Sequence, residues 1–202
     1  RRPGPFLVCF APTAASPRVL DWPCAAGRMV RRTVGLARPH VRACLYCGEP
    51  QLKAYVQRLA KQQAQRDFSR TYVAQLPDET PGEAARIQGF YAISAGSIDF
   101  KNLPVGLKLP RYPVPVARMR RLAVDLRAQG QGVGAALLAH AMQLSATLAQ
   151  QIGVYALVVD AKHEAAAAFY ARYGFQRFVD HELSLFLTTD VIRQAIASPA
   201  AR

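Results

Sequence analysis

Between residues 50 and 197 the apolar positions change period several times, and each change marks an element. Leu52, Tyr55, Val56, Leu59 and Ala60 recur at helical spacing, which predicts an amphipathic helix over 50–65. The stretch 69–75 is short and rich in Tyr, Thr and Val, residues that favour strands. A turn over 77–82 leads into a long strand-like run over 86–100, in which Gly89 and Gly96 are candidate bends or bulges. Pro104, Pro110, Pro113 and Pro115 make 103–115 a loop, and 117–125 returns to strand. A long helix follows over 133–151, with Leu137, Leu138, Ala141, Leu144 and Leu148 on its apolar face. The continuous apolar run 154–160 reads as a strand buried on both faces. A helix over 165–173 is stopped by Gly174, two short strands follow over 175–179 and 183–188, and 190–197 is a terminal helix. Strands alternating with helices predict an α/β (α+β) domain around a mixed sheet.

Residues 1–46 behave differently. They hold six of the fourteen prolines and no sustained period, so they predict a mostly disordered basic Pro/Arg-rich extension in front of a domain over 47–197. The same segment carries eight arginines against one acid, Asp21, a net +7 out of the chain's +13. Such a balance points to an anionic partner, nucleic acid or an acidic protein. With 51% apolar residues the chain has ample material for a core, yet no run approaches the roughly 18 apolar residues of a membrane span. No secretory apolar region with a small-residue cleavage site follows the N-terminus, so a cytoplasmic, soluble protein without a membrane partner is expected. The four cysteines, Cys9, Cys24, Cys44 and Cys47, all lie at the front. Cys44 and Cys47 have zinc-ligand spacing but lack a second ligand pair, so no metal is expected and the thiols read as reduced.

Strand, turn and helix succeed one another in Leu122-Ala123-Val124-Asp125-Leu126-Arg127-Ala128-Gln129-Gly130-Gln131-Gly132-Val133-Gly134. A helix N-terminus offers unpaired N–H groups and the positive end of its dipole, and glycines let the backbone approach phosphate oxygens closely. No Lys-Ser/Thr follows the last glycine, which excludes the Walker loop. The glycines are spaced two apart, which excludes the Rossmann fingerprint. What remains is a site for some phosphate-bearing ligand.

With its flanks, this turn resembles the acetyl-CoA loop of the GNAT family of N-acetyltransferases, whose Gln/Arg-x-x-Gly-x-Gly/Ala signature is matched by Gln129, Gly132 and Gly134. Downstream, Ala168-Phe169-Tyr170-Ala171-Arg172-Tyr173-Gly174-Phe175 is similar to the family's second signature. Further segments narrow the resemblance to toxins of toxin–antitoxin pairs that acetylate aminoacyl-tRNA. They are Cys47-Gly48-Glu49-Pro50-x-Leu52-x-x-Tyr55, Ser69-Arg70-Thr71-Tyr72-Val73, Gly89-Phe90-Tyr91-Ala92-Ile93-Ser94-Ala95-Gly96-Ser97, Leu109-Pro110-Arg111-Tyr112-Pro113-Val114-Pro115 and Arg121-Leu122-Ala123-Val124-Asp125. The match covers about 47–190; the strand that such proteins carry before Cys-Gly-Glu-Pro is not recognisable here.

The resemblance implies a GNAT fold whose central mixed sheet splays between its fourth and fifth strands, with acetyl-CoA as co-substrate. A backbone N–H within Leu122, Ala123 and Val124 would face the acetyl carbonyl. Gln129, Gly130, Gln131, Gly132, Val133 and Gly134 would hold the pyrophosphate. Tyr170 would protonate the departing thiolate, while Phe169 belongs to the core. Phosphates of aminoacyl-tRNA would meet Lys108, Arg111, Arg118, Arg120 and Arg121, although a solvated face explains any single one of these as well. Arg127 and Arg172 could contact cofactor phosphates instead. The implied partners are a ribbon-helix-helix antitoxin and, through that complex, operator DNA; branch members often dimerise, which leaves a homodimer open. Two other readings stand beside this one: a general acetyltransferase acting on a small amine or a protein N-terminus, and a non-enzymatic regulator with a dead site. Retention of Tyr170 argues against the last.

Overall fold

The computed structural model describes residues 8–9, 32–36, 45, 47–75, 86–99 and 112–197. Its strands are β1 (Val8–Cys9), β2 (Arg32–Gly35), β3 (Arg70–Gln75), β4 (Ile87–Ile98), β5 (Val114–Val124), β6 (Ala156–Asp160), β7 (Gln176–Arg177) and β8 (Ser184–Thr188). Its helices are α1 (Pro50–Ala54), α2 (Ala60–Gln65), α3 (Val133–Ile152), α4 (Glu164–Ala171) and α5 (Thr189–Ala197). The helix expected over 50–65 is present, but its middle, Tyr55–Leu59, is π-helical. Most of the expected proline loop and the turn over 77–82 lie outside the described residues.

The strands line up in the order β2-β3-β4-β5-β6-β8-β7. Neighbours are antiparallel except β5 and β6, which run parallel because α3 crosses over between them. Counted from β2, these two are the fourth and fifth strands of the domain. They pair only from Val116↔Ala156 to Met119↔Val159. Beyond Met119, β5 continues without β6, and its outer edge is taken instead by β1, parallel, with Val8 opposite Leu122 and Cys9 opposite Ala123. The splay implied by the resemblance is therefore present.

Within 1–46, Arg32–Gly35 is ordered as an edge strand against Tyr72–Gln75. It supplies the strand that the sequence pattern did not reveal, because four residues reading Arg-Thr-Val-Gly carry too little alternation to stand out. Apart from this strand, Leu36, β1 and Leu45, the expected extension lies outside the described residues.

The faces of the sheet are covered separately. Against one face, Leu137, Leu138 and Ala141 of α3 pack on Tyr91, Ile93, Met119 and Leu122, together with Phe169 and Tyr170 of α4. Against the other, Leu52, Tyr55 and Val56 cover Val73, Phe90, Ala92 and Ala123. Gly89 is needed for the first of these contacts: a Cβ there would stand 2.7 Å from the Ala123 carbonyl oxygen and 3.0 Å from Leu137 Cδ1. It borders an irregularity in the β3–β4 register at Gln88, whereas Gly96 lies in regular pairing opposite Val116.

A second irregularity shapes the site. Ala92 pairs with Arg121 but Ile93 pairs with Met119, so Arg120 is the extra residue of a β-bulge. Met119 and Leu122 both enter the α3 side of the core, three positions apart. The two residues between them both turn to the opposite face.

Candidate active site

Where β5 ends, Asp125 is almost wholly buried. Its Oδ1 accepts from the Arg127 backbone N–H at 3.0 Å and from Arg127 Nε at 2.8 Å, while Oδ2 accepts from Nη2 at 2.8 Å. These bonds cap the short 3₁₀ turn Leu126–Ala128 and lead the chain into the glycines. Gly130 and Gly132 stand at φ +73 and +79, a region that L side chains rarely adopt. A Cβ on either would meet nothing within 4 Å, so the backbone angle and not crowding selects glycine. Gly132 is the N-cap of α3, and no side chain caps that helix. The N–H groups of its first turn are thus left for another partner.

They open on a cavity of about 400 Å³. One wall is Gln129, Gly130, Gly132, Val133, Gly134 and Ala135; the other is α4, through Ala165, Ala168 and Phe169, with Arg172 and Tyr173 beyond its end; Val124 and Ala128 lie between. The positive end of a 20-residue helix and one guanidinium face a largely apolar wall. That combination fits a ligand with a phosphate head and an apolar arm. Gln131 is exposed and turned back, its Nε2 donating to the Arg127 carbonyl at 2.8 Å. Arg127 is held by Asp125 and does not line the cavity, whereas Arg172 does. Leu122 and Ala123 are fully buried, on the strand edge that β1 covers.

Tyr170 is 1% exposed, its ring edge-on to Phe169 at 5.3 Å and tilted against Phe175 at 5.6 Å. Burial, and secondarily the charge of Asp160, push its phenol far above the usual range, so it holds its proton at any physiological pH. Phe169, expected in the core, packs there and also forms part of the cavity wall; Tyr170 is not among the wall residues.

The basic candidates separate. Arg118 donates from Nη1 to Asp160 Oδ2 at 2.9 Å, and Ser184 Oγ donates to the other carboxylate oxygen at 2.8 Å. Arg118 is thus engaged between β5 and β6. Arg120 Nε donates to Ser94 Oγ at 3.2 Å, and the Arg121 guanidinium lies 4.0 Å over the Tyr55 ring. Burial lowers the pKa of Arg121. Lys108 and Arg111 lie outside the described residues.

Beneath Arg121 is a network to which sequence reasoning gave no role. Tyr55 Oη lies 3.2 Å from Ser69 Oγ, 3.1 Å from Thr71 Oγ1 and 3.4 Å from Gln63 Oε1, and Ser69 Oγ donates to Gln63 at 2.9 Å. Glu49 of the Cys-Gly-Glu-Pro segment is ion-paired with Lys162, which follows β6, tying α1 to the far side of the splay. The only signal for these residues was that Glu49, Tyr55, Ser69 and Thr71 all fall in segments carrying the toxin resemblance. Cys47 is buried, which pushes its thiol up and keeps it protonated. Among the described residues no three His, Cys, Asp or Glu side chains are grouped to hold a metal, and no helix is long and apolar enough to cross a membrane.

A β-sheet splayed beside a glycine-opened helix is the arrangement that the GNAT resemblance implies, and the comparisons agree. The profile described as "Acetyltransferase (GNAT) domain" matches residues 67–177. The chain belongs to the GNAT acetyltransferase family. It is 35% identical over 142 residues to the tRNA-acetylating toxin of Mycobacterium tuberculosis, covering 69% of this chain and 81% of that one. It is 30% identical over 164 residues to the probable toxin TacT of Sinorhizobium fredii, covering 76% and 88%. Among solved structures, AtaT complexed with acetyl-methionyl-tRNAfMet superposes with a TM-score of 0.75 at 28% identity, over 83% of this chain and 99% of that one. AtaTR bound with AcCoA gives 0.72 at 28%, over 83% and 98%, and the AtaT-AtaR complex bound to DNA gives 0.65 at 28%, over 82% and 99%.

Proposed function

We propose that the chain transfers the acetyl group of acetyl-CoA to the α-amine of aminoacyl-tRNA, acting as the toxin of a toxin–antitoxin pair that blocks translation. The observation that carries this reading is the cavity between the glycine turn and α4, which Val124 lines from the stretch of β5 beyond its last pairing with β6. Acetyl-CoA supplies a thioester when bound. The N–H groups at Gln129 to Gly134 hold its pyrophosphate, with Arg172 adding positive charge. A backbone N–H within Leu122 to Val124 stabilises negative charge on the acetyl oxygen. As the C–N bond forms and the C–S bond breaks, Tyr170 gives its proton to sulfur and regains one from the nitrogen. A buried phenol that does not lose its proton to solvent keeps it available for such a relay.

The toxin relatives and the tRNA, AcCoA and DNA complexes of AtaT support the acceptor and partners. On this reading the catalytic domain spans 47–197 with Arg32–Gly35 added to its sheet. It acts in the cytoplasm, where charged tRNA is found. A ribbon-helix-helix antitoxin masks the site, the pair binds operator DNA, and the toxin is a homodimer. The test incubates the protein with labelled acetyl-CoA and total charged tRNA, then identifies acetylated aminoacyl-adenosine by mass spectrometry. Label appearing only on free amines or on protein N-termini would instead establish a general acetyltransferase.

A further inference from the structure

We infer that Arg120 and Arg121 form a clamp for the first phosphodiester beyond the acylated ribose, so that the enzyme selects amines carried on the end of a nucleic acid over the same amines on a lone nucleoside. This rests on the proposed acceptor. The bulge is the device that builds the clamp. In a regular strand, alternate residues face opposite ways, and two successive arginines would be divided between the faces. Here Met119 and Leu122 both enter the α3 side, while Arg121 reaches Tyr55 of the opposite core cluster and Arg120 reaches Ser94, two positions along β4 from Ala92 of that same cluster. The extra residue therefore brings two guanidiniums together on one surface, and bulges are a known means of re-aiming side chains beside active sites.

Both side chains are seated. Arg121 lies over a tyrosine whose hydroxyl is fixed by Ser69 and Thr71 in a buried network, and Tyr55 itself sits in the π-helical turn. π-helical turns are frequent at functional sites, and a solvated charge on a surface strand requires none of this support. Guanidiniums held as planar forks suit the paired oxygens of a phosphodiester. Arg118, on the same strand, is ion-paired with Asp160 across β5 and β6 and lies on the far side of the bulge from Leu122, so it serves as the control.

Position sets which phosphate is read. Arg121 precedes Leu122, the first of the three residues assigned to the acetyl carbonyl, and a strand rises only about 3.3 Å per residue. Groups so close to the transfer point reach the terminal nucleotides of the acceptor, whereas stem phosphates lie farther off. Contacts of this kind position the acceptor and carry no base sequence.

The experiment uses two synthetic acceptors with stable amide linkages: 3′-aminoacylamino-adenosine, and the same compound extended by one 5′-linked cytidylate. Both bear whichever amino acid the total-tRNA assay finds acetylated. The quantity read is the ratio of kcat/KM for the extended over the simple acceptor. The full chain should prefer the extended acceptor by about tenfold or more, the scale of a charge-assisted contact. Arg120→Gln and Arg121→Gln should each reduce the ratio, and the double variant should bring it near one. Arg121→Lys, which retains a charge over Tyr55, should keep part of it, and Arg118→Gln all of it. A ratio unchanged in the double variant, with both acceptors slowed in parallel, would reduce the arginines to structural supports and overturn the clamp. So would a collapse caused by Arg118→Gln alone. If the unaltered chain acetylates neither compound nor charged tRNA, the acceptor reading itself fails and takes the clamp with it.

Discussion

Arg118 and Asp160 meet at 2.9 Å across β5 and β6, at the last point where those strands run side by side. Both side chains are largely withdrawn from solvent, at 24% and 16% exposure, and the second carboxylate oxygen is satisfied by Ser184. The pair pins the sheet just before it opens. Asp160→Asn leaves the Arg118 charge without its partner and is expected to cost about 2 kcal/mol, between the surface and fully buried cases. Urea denaturation of the two proteins measures it. An effect below a few tenths would mean that the pair is a surface contact only.

Tyr170 offers the sharpest separation of chemistry from packing. Tyr170→Phe keeps the ring between Phe169 and Phe175 and removes only the hydroxyl. Acetyl transfer should fall by about 10²-fold or more in kcat, the usual scale for a lost proton-transfer group, with KM for acetyl-CoA changed little. Steady-state release of coenzyme A provides the measurement. Full turnover in the variant would remove the relay from the mechanism.

What could be read from the sequence follows from how local each cause is. Gly130 and Gly132 were legible because a positive φ demands glycine wherever the chain lies, and α3 because a 20-residue apolar stripe declares its own period. Arg32–Gly35 was not legible, since its strand character comes from pairing with Tyr72–Gln75 some forty residues later. Nor was the fate of Arg118, whose partner lies 42 positions away. The bulge at Arg120 was invisible for a related reason. Met-Arg-Arg-Leu breaks alternation, but only the facing register of β4 tells which residue is extra.

The two glycine sites should fail in different ways. Gly132→Ala places a side chain in open space at φ +79, so it should cost about 1–2 kcal/mol of backbone strain. It should also raise KM for acetyl-CoA by disturbing the N-cap. Gly89→Ala instead drives a Cβ into the Ala123 carbonyl and Leu137, at an overpacking cost of about 1–3 kcal/mol. Thermal unfolding in the presence and absence of acetyl-CoA distinguishes them: the ligand should rescue Gly89→Ala as it stabilises the parent chain, and Gly132→Ala much less.

Val8 and Cys9 occupy the β5 edge at Leu122 and Ala123, the residues assigned to the acetyl carbonyl. An extended, amide-bearing cofactor arm reaching that edge must displace them. Removal of residues 1–10 should therefore lower KM for acetyl-CoA with little change in kcat. Val8→Pro in the full chain, which deletes a strand N–H, should act in the same direction. An unchanged KM in both would show that the strand and the cofactor do not compete.

His140 links stability to pH. Its Nδ1 lies 2.6 Å from Tyr91 Oη, and Tyr72 packs against both rings at about 5 Å. Burial lowers the imidazole pKa in the folded chain, so the folded state resists a proton that the unfolded chain accepts near the ordinary value of about 6.5. The contribution is complete above that ordinary value and is lost as pH falls through the lower folded one. The neighbouring phenol does not share the proton balance, because burial also holds Tyr91 protonated throughout this range. Carboxylates weaken every protein in acid, so the informative quantity is the difference between the parent chain and His140→Gln. The parent should lose more Tm than the variant between pH 7 and pH 5. Parallel profiles would mean that His140 stays neutral, or stays solvated, in both states.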